Sequence, residues 1–356
     1  MKILITGICG FVGSTLAQAW LEAEPGIEIY GLDNFTRPGS ELNRNELIKL
    51  GIRFYHGDIR LASDFATLPK VDWVIDAAAN PSVLAGIKGY SSSRQLVEHN
   101  LIGTVNMLEY CKRNGAGFIL LSTSRVYSIN KLTDIHVEPE DDAFILKADR
   151  PLPPGVSAAG VSESFSTEPP ISLYGSTKLA SEILALEYGE SFHNPVWINR
   201  CGVLAGSGQF GRADQGIFAY WLNSWLRKKP LSYIGFDGKG YQVRDSFQPR
   251  DLLPLLRKQT STGFTTEIPK IINLGGGVRN SMSLAQLSGW CRERFGPHEI
   301  AAVLETRPFD IPWMVMDSTL AGKTWDWQPQ TPLENILEEI ALHAEQNPDW
   351  LEISGY

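Results

Sequence analysis

The stretch Lys2-Ile-Leu-Ile-Thr-Gly-Ile-Cys-Gly-Phe-Val-Gly13 decides the fold of this chain. Its first five residues form an apolar run long enough for one buried strand, and glycines follow at positions 7, 10 and 13. Gly7 allows a tight turn, Gly10 lets a pyrophosphate approach the backbone, and Gly13 lets the next helix pack closely on the strand. The following apolar residues repeat at helical spacing, which would place the phosphates at a helix N-terminus, where unpaired N–H groups favour an anion.

A second apolar strand ends in Asp33, 20 residues after Gly13. An acidic residue at this distance is typical of one that binds the adenosine ribose of a dinucleotide. A carboxylate there accepts from a ribose 2′-hydroxyl and repels a 2′-phosphate, which favours NAD over NADP. Arg37 is the only nearby residue that could reverse this preference. The alternative is a glycine-rich turn in some other α/β protein.

Strand and helix patterns alternate through the first half of the chain. Apolar runs of strand length lie at 2–6, 28–32, 52–56, 72–76, 117–122 and 195–199, and helical periodicity covers 11–23 and 92–114. Such alternation predicts an α/β protein with a Rossmann-type doubly wound parallel sheet. We expect a dinucleotide-binding domain over residues 1–200 and a smaller C-terminal α/β substrate lobe over 201–356, interleaved with the first. The segment 128–173 is rich in proline, glycine and acidic residues, and predicts a structureless, lid-like excursion over the active site.

The bulk properties narrow the possible partners. Hydrophobic residues make up 43% and charged residues 20% of the 356, which is ordinary for a globular protein. A net charge of −8 argues against nucleic acid. No apolar run approaches the roughly 20 residues of a membrane helix, and the first strand leaves no room for a signal peptide. The four cysteines lie far apart, so we expect reduced thiols, no metal site and a cytoplasmic location.

The catalytic constellation follows the strand 117–122. Thr123 lies at its carboxyl end, the edge at which doubly wound sheets bind ligands. Tyr174 and Lys178 come about 50 residues later at the start of a helical pattern, and residues four apart share one helix face. A neighbouring ammonium lowers the pKa of a phenol, whose ordinary pKa near 10 makes it a poor base at neutral pH. Tyr174 can then remove a hydroxyl proton while Thr123 holds the substrate oxygen.

Two arginines of the second lobe are candidate diphosphate clamps. Arg244 follows a β-type run, and Arg307 begins the motif Arg307-Pro-Phe-Asp310. A planar guanidinium grips phosphate oxygens with two parallel bonds, which an ammonium cannot do. The alternative for each is a surface ion pair with Asp245 or Asp310.

The motif Thr-Gly-x-x-Gly-Phe-x-Gly and the later Tyr-x-x-x-Lys resemble the extended short-chain dehydrogenase/reductase superfamily, which includes the NAD-dependent nucleotide-sugar epimerases and dehydratases. The resemblance spans essentially the whole chain. It implies NAD as cofactor, a nucleoside-diphosphate sugar as substrate, and a homodimer or homotetramer. The cofactor-binding positions that it implies are Gly7, Gly10, Phe11, Val12, Gly13, Asp33, Asn34, Asp58, Ile59, Ala77, Ala78, Ala79, Asn100, Tyr174 and Lys178. The substrate-binding positions are Pro81, Ser82, Ser124, Arg125, Asn199, Gln209, Gln215, Arg244 and Arg307.

The sequence supports a binding role more strongly at some of these implied positions than at others. In the family, the residue at Asp58 accepts from the adenine amine, whereas a surface turn is an equally good interpretation of the sequence there. For Asn100 the sequence favours a structural role, in which its side chain ties its helix to the catalytic loop. The family usually has a histidine where this chain has Asp76, followed by the small residues Ala77, Ala78 and Ala79, which leave room for a flat cofactor.

Three stretches resemble the CDP-paratose 2-epimerase branch: Ser122-Thr-x-x-Val-Tyr127, Gly208-Gln-Phe…Asp214-Gln-Gly216 and Gly240-x-Gln-Val-Arg-Asp245. In that branch the sugar C2 is oxidised to a ketone and reduced from the other face. Dehydratases place Asp-Glu after the catalytic threonine, and Ser124-Arg125 stands there here, which disfavours a dehydratase. A UDP-sugar 4-epimerase, a nucleotide-sugar reductase and a cofactor-sensing binding protein remain as alternatives.

Overall fold

The computed structural model describes residues 1–87 and 92–355. In chain order the strands are β1 (Lys2–Thr6), β2 (Glu28–Asp33), β3 (Arg53–His56), β4 (Trp73–Asp76), β5 (Gly117–Thr123), β6 (Val137–Glu140), β7 (Ala143–Leu146), β8 (Val156–Ser157), β9 (Gly160–Val161), β10 (Val196–Cys201), β11 (Val203–Leu204), β12 (Leu231–Ile234), β13 (Val243–Phe247), β14 (Ile271–Leu274), β15 (Ser281–Ser283), β16 (Ile300–Val303) and β17 (Trp313–Met314).

The helices carry the crossovers and cover the sheet. They are α1 (Phe11–Ala23), α2 (Glu41–Lys49), α3 (Ser93–Val97), α4 (Gly103–Asn114), α5 (Ile129–Thr133), α6 (Ser172–Phe192), α7 (Ile217–Leu226), α8 (Leu253–Thr260), α9 (Leu284–Phe295), α10 (Thr319–Trp325), α11 (Leu333–Gln346) and α12 (Trp350–Ile353). One π-helical turn, Glu98–Ile102, joins α3 to α4. In the described part of the chain no helix is long and apolar enough to cross a membrane.

The central sheet has seven strands in the order β14-β10-β5-β4-β1-β2-β3. All its neighbouring strands run parallel, which confirms the predicted doubly wound α/β fold. The chain winds outward from β1 to β3 and then returns to place β4 on the other side of β1. A crevice therefore opens between β1 and β4 at their carboxyl ends, where such sheets bind ligands.

The inner strands of the central sheet, β1, β2, β4, β5 and β10, are buried on both faces. Ile3 and Ile5 belong to one hydrophobic cluster, and Leu4 between them belongs to another on the opposite face. Side chains alternate across a strand, so a continuous apolar run is what a sheet covered by helices on both sides requires. This is why the short apolar runs identified six of the seven strands of this sheet, whereas the edge strand β14 was not predicted.

The glycine turn at the end of β1 has no space for larger residues. Gly7 has φ +64°, and a Cβ on it would lie 2.9 Å from the Cα of Ala78 at the end of β4. A Cβ on Gly13 would lie 2.3 Å from the Gly7 carbonyl oxygen. The turn therefore brings the start of α1 and the ends of two strands together, as the spacing predicts.

The second lobe forms around β13, which pairs with β11, β15 and β17. Helices α7, α9 and α11 supply its apolar cluster, which includes Trp221, Leu287 and Ile336. The chain then returns to the first lobe, because β14 completes the central sheet. The two lobes thus interleave.

The expectation of a structureless segment over 128–173 is wrong. It contains α5 and the hairpins β6–β7 and β8–β9, and its Ile135 and Phe165 pack with Trp313 and Met316 in a small core. No residue from 128–173 is among the described residues that line the main cavity. Apolar side chains spread through its polar sequence supply this core, and its role as a lid stays a prediction.

Candidate active site

The three predicted catalytic residues meet at the carboxyl end of β5. Thr123 ends the strand, and Tyr174 lies in the first turn of α6. The Thr123 and Tyr174 side chains are hydrogen-bonded. Tyr174 is buried and lines the cavity, whereas Lys178 lies one turn further on, 2% exposed and behind the cavity wall.

The chain's own groups leave the pKa of Tyr174 above its ordinary value. Burial raises the pKa of Tyr174 to about 12, while the hydrogen bond with Thr123 and the charge of Arg125 act to lower it. The Lys178 ammonium also interacts with the carboxylate of Asp76. Burial of the ring therefore outweighs the nearby positive charge of the chain's own groups, and a lowering of the phenol pKa by Lys178 stays a prediction.

Asp76 occupies the position where the family usually has histidine. It is 1% exposed and accepts hydrogen bonds from the Thr6 hydroxyl at 3.1 Å, the Ala78 N–H at 3.2 Å and the Thr104 hydroxyl at 3.4 Å. Burial raises the pKa of Asp76, and Lys178 acts in the opposite direction. The site thus contains two buried side chains of opposite charge, Asp76 and Lys178, that interact with each other.

A buried ion pair fixes α6 against the sheet. The Arg200 guanidinium donates to both Glu182 oxygens, with Nη2 to Oε2 at 2.6 Å, and the two side chains are 6% and 1% exposed. The Ser122 hydroxyl also donates to Glu182. Ser122 precedes Thr123, and Glu182 lies one turn after Lys178. This pair therefore sets the register between the catalytic strand and the catalytic helix.

One cavity of about 1110 Å³ runs across the carboxyl edge of the sheet. Its dinucleotide half is lined by most of the predicted cofactor positions: Gly7, Gly10, Phe11, Val12, Gly13, Asp33, Asn34, Ile59, Ala77, Ala78 and Ala79. The glycine turn and the alanines after β4 have no bulky side chains, so the backbone is accessible on both sides of the crevice. The residues present therefore fit a flat dinucleotide. Among the described residues no cluster of metal-binding side chains occurs.

Asp33 is held in place for a ribose. Its Oδ2 accepts from the Cys9 N–H at 2.9 Å and its Oδ1 from the Phe35 N–H at 2.8 Å. Burial nevertheless raises the pKa of this carboxyl. Arg37 is directed away, since it donates to the Phe210 carbonyl oxygen, and burial lowers its pKa to about 10. No phosphate-binding arrangement between Asp33 and Arg37 is formed, which agrees with NAD as cofactor.

Besides Lys178 and Ser82, three predicted residues lie outside the described cavity lining, and their polar groups are bound to other residues of the chain. The Asp58 carboxylate is bound by Arg60 and by Asn34. The Asn100 amide bonds to the backbone of Asn80 at 2.8 and 3.1 Å and to Thr177, which is the structural role that the sequence favours. Asn199 is fully buried and exchanges two amide hydrogen bonds with Gln259, so it cannot bind substrate from there.

The substrate half of the cavity is lined by Pro81, Ser124, Arg125, Gln209, Gln215, Arg244 and Arg307. Ser82 is not in the lining, since its hydroxyl donates to Asp214 at 2.7 Å. The side-chain carbonyl oxygens of Gln209, Gln215 and Gln242 are buried without a partner. Buried acceptors of this kind are normally paired, so all three suit ligand hydroxyl or amino groups.

Three arginines gather around the loop 307–310. Arg244 Nη2 lies 3.1 Å from Asp310 Oδ1, Arg125 donates to the Phe309 carbonyl at 3.3 Å, and Arg307 donates to the Ala213 carbonyl at 3.2 Å. The ion pair with Asp310 offered as an alternative for Arg244 does form, but it lies in the cavity wall rather than on the surface. Three guanidinium groups against one carboxylate suit a ligand with more than one negative charge.

No role at the site is predicted from the sequence for Asp76, Glu182 or Arg200. Asp76, Glu182 and Arg200 have one signal in common, a charged residue inside or at the end of an apolar pattern. Charged residues are almost never fully buried unless they are paired, so such positions mark partners that must meet in the fold.

The chain matches the family model described as "NAD dependent epimerase/dehydratase family" over residues 3–275. It is 28% identical to CDP-paratose 2-epimerase of Salmonella typhi, with 96% of this chain and 98% of that protein covered. It is 26% identical to UDP-glucuronate 4-epimerase of Thermodesulfobacterium geofontis (strain OPF15), with 97% and 96% covered. The crystal structure of UDP-glucuronic acid 4-epimerase from Bacillus cereus, in complex with UDP-glucuronic acid and NAD, has a TM-score of 0.78 at 26% identity, covering 97% of this chain and 99% of that one.

Glu182→Gln should lower the free energy of unfolding by about 3–5 kcal/mol, because it leaves the Arg200 guanidinium buried without a carboxylate. Urea unfolding followed by circular dichroism measures the change. The matched control is Glu187→Gln, an exposed position on the same helix, which should change stability by less than about 0.5 kcal/mol. Equal effects of the two substitutions would contradict a structural role for the buried pair.

Proposed function

The chain belongs to the NAD-dependent epimerase/dehydratase family, and on that premise we propose that it inverts C2 of a nucleoside-diphosphate sugar through a transient 2-keto intermediate. The observation that carries the proposal is the Thr123–Tyr174 pair in the cavity with Ser124-Arg125 beside it. Loss of water needs a separate acid and base, and no carboxylate occupies the two places after Thr123. Similarity to CDP-paratose 2-epimerase over nearly the whole chain supports C2 as the carbon that is inverted.

The chain's own groups can move one proton at the sugar. Tyr174 removes the proton of the hydroxyl to be oxidised and later returns it to the ketone oxygen, while Thr123 holds that oxygen in line. Bound NAD would supply the redox chemistry, as the acceptor of the hydride that leaves the sugar carbon and the donor of the hydride that returns to the ketone carbon. Arg125 acts to lower the phenol pKa against the burial that raises it, and Lys178 would place a second positive charge one helical turn after Tyr174.

Inversion requires the sugar to present its other face while the rest of the substrate stays bound. Arg244 and Arg307 line the cavity away from the reacting hydroxyl and would hold the diphosphate there. The unpartnered oxygens of Gln209, Gln215 and Gln242 can accept from sugar hydroxyls or from the base. Anchoring at the diphosphate leaves the sugar ring free to turn.

A second candidate is inversion at C4 of a UDP-sugar. It is favoured by the similarity to UDP-glucuronate 4-epimerases in both sequence and structure. The same Thr123 and Tyr174 would serve, because the two reactions differ only in which hydroxyl faces the tyrosine. The position of the inverted centre in the product separates the two candidates.

We also propose that two copies of the chain pair through α6 and the helical segment packed on it. On α6, Leu173 and Ile183 are 41 and 56% exposed, and Val97 and Ile102 of the neighbouring segment are 37 and 42% exposed. Large apolar side chains grouped in this way mark an interaction surface, and a two-fold axis buries the same patch on both copies. Light scattering should give the dimer mass, and Ile183→Arg should shift it to the monomer mass.

Tyr174→Phe should lower turnover by roughly 10²–10⁴, the range typical of a general acid–base group. The phenylalanine ring fills the same space, so folding and NAD content should stay close to those of the unchanged protein. Turnover is measured on the nucleoside-diphosphate sugar that the unchanged protein epimerises, with NAD content as the control. Unchanged turnover in the variant would remove Tyr174 from the mechanism.

Arg244→Ala should weaken nucleoside-diphosphate binding by about one to two orders of magnitude, because charge-assisted hydrogen bonds contribute about 1.5–3 kcal/mol each and ~1.4 kcal/mol is tenfold. Arg244→Lys should recover only part of the loss, since an ammonium cannot match the fork. Calorimetry on both variants gives the dissociation constants, and NAD affinity is the internal control. Weaker NAD binding with unchanged nucleoside-diphosphate binding would assign Arg244 to the cofactor half.

A further inference from the structure

The far end of the dinucleotide half of the cavity lies beyond Asp33. It is lined by Gly57 and Ile59, which follow β3, and by Gln95 and His99 from the helical segment above. β3 is the edge strand next to β2, which carries Asp33 at its end. A dinucleotide with its pyrophosphate at Gly10 and its ribose at Asp33 therefore places its adenine between these two walls.

The family resemblance implies that the Asp58 carboxylate accepts from the adenine amine, but this carboxylate is already hydrogen-bonded to other residues. Asp58 Oδ1 accepts from Arg60 Nε at 2.9 Å, and Asp58 Oδ2 accepts from Asn34 Nδ2 at 3.0 Å. Burial acts to raise the pKa of Asp58, but the hydrogen bonds from Arg60 outweigh it and lower the pKa to about 2. Asp58 also lies outside the described cavity lining. Its carboxylate is thus used in fixing the turn after β3.

His99 is the unexplained polar group in the same wall. The side chain is 8% exposed, and neither ring nitrogen has a partner of hydrogen-bond geometry, although the Gln95 carbonyl one turn earlier interacts with the ring. Burial lowers the pKa of His99, and Arg60 adds to the effect, so the imidazole is neutral at pH 7. It lies in the π-helical turn Glu98–Ile102, and such turns occur frequently at functional sites.

We propose that His99 recognises the adenine of NAD, accepting a hydrogen bond from the 6-amino group in place of Asp58. A neutral imidazole has one N–H donor and one acceptor nitrogen. An N–H directed at the Gln95 carbonyl leaves the other nitrogen as an acceptor, which is what an exocyclic amine needs. A buried acceptor without a partner is costly, so the site discriminates against a base that lacks this donor.

The test compares NAD with nicotinamide hypoxanthine dinucleotide, in which an oxo group replaces the 6-amino group. Purified protein is equilibrated with an excess of both and freed of unbound nucleotide. The retained dinucleotides are released by denaturation and quantified by chromatography. The unchanged protein should retain NAD over the analogue by about tenfold or more, the cost of one unmade buried hydrogen bond. The ratio is read within each protein, so it does not depend on the folded fraction.

His99→Leu should bring the ratio close to one, because leucine has no acceptor. His99→Gln should keep a preference for NAD, since its side-chain oxygen can accept from the amine. Asp58→Asn is the matched control and should keep the ratio of the unchanged protein. A ratio unchanged in His99→Leu, or one that collapses in Asp58→Asn instead, would overturn the proposal.

Discussion

The buried ion pair between Glu182 and Arg200 is the constraint on which the rest of the site depends. Glu182 belongs to α6, Arg200 to β10, and Ser122 of β5 donates to the same carboxylate. Two charges removed from water are stable only when each satisfies the other, so these three elements cannot slide without breaking the pair. Tyr174 and Thr123 are thereby held within hydrogen-bond contact. The geometry of the cavity therefore depends on the Glu182–Arg200 ion pair, which lies outside its lining.

Two charges at the reacting end distinguish this chain from the usual family pattern. Asp76 stands where the family has histidine and partly offsets Lys178, while Arg125 lies on the cavity side of Tyr174 and acts to lower its pKa. Burial of the phenol outweighs the positive charge of the chain alone. The positive nicotinamide ring of bound NAD would add to Arg125 and Lys178, which ties proton removal by Tyr174 to the presence of the cofactor.

The sequence predicted the parts of the fold that depend on local pattern. The glycine turn, most strands of the central sheet and the Tyr174–Lys178 spacing follow from periodicity and from backbone sterics, and most of the site positions implied by the family resemblance line the cavity. The sequence did not predict hydrogen bonds and packing contacts between residues that are far apart in the chain. The Asp58 carboxylate is hydrogen-bonded to Arg60, and the Asn199 amide is hydrogen-bonded to Gln259. No rule based on sequence spacing predicts such partners. The small core of 128–173 escaped for the same reason, because its apolar partners lie more than a hundred residues later.

Whether the chain is a nucleotide-sugar epimerase is tested most directly by incubation with a panel of CDP-, UDP-, GDP- and dTDP-sugars in deuterated water, followed by NMR. An epimerase that returns hydride within one bound complex gives a product inverted at one carbon, with no deuterium at that carbon and no net change in oxidation state. C2 is the position that we expect. Deuterium at the inverted carbon, loss of water from the sugar, or stoichiometric consumption of reduced nicotinamide would contradict the account.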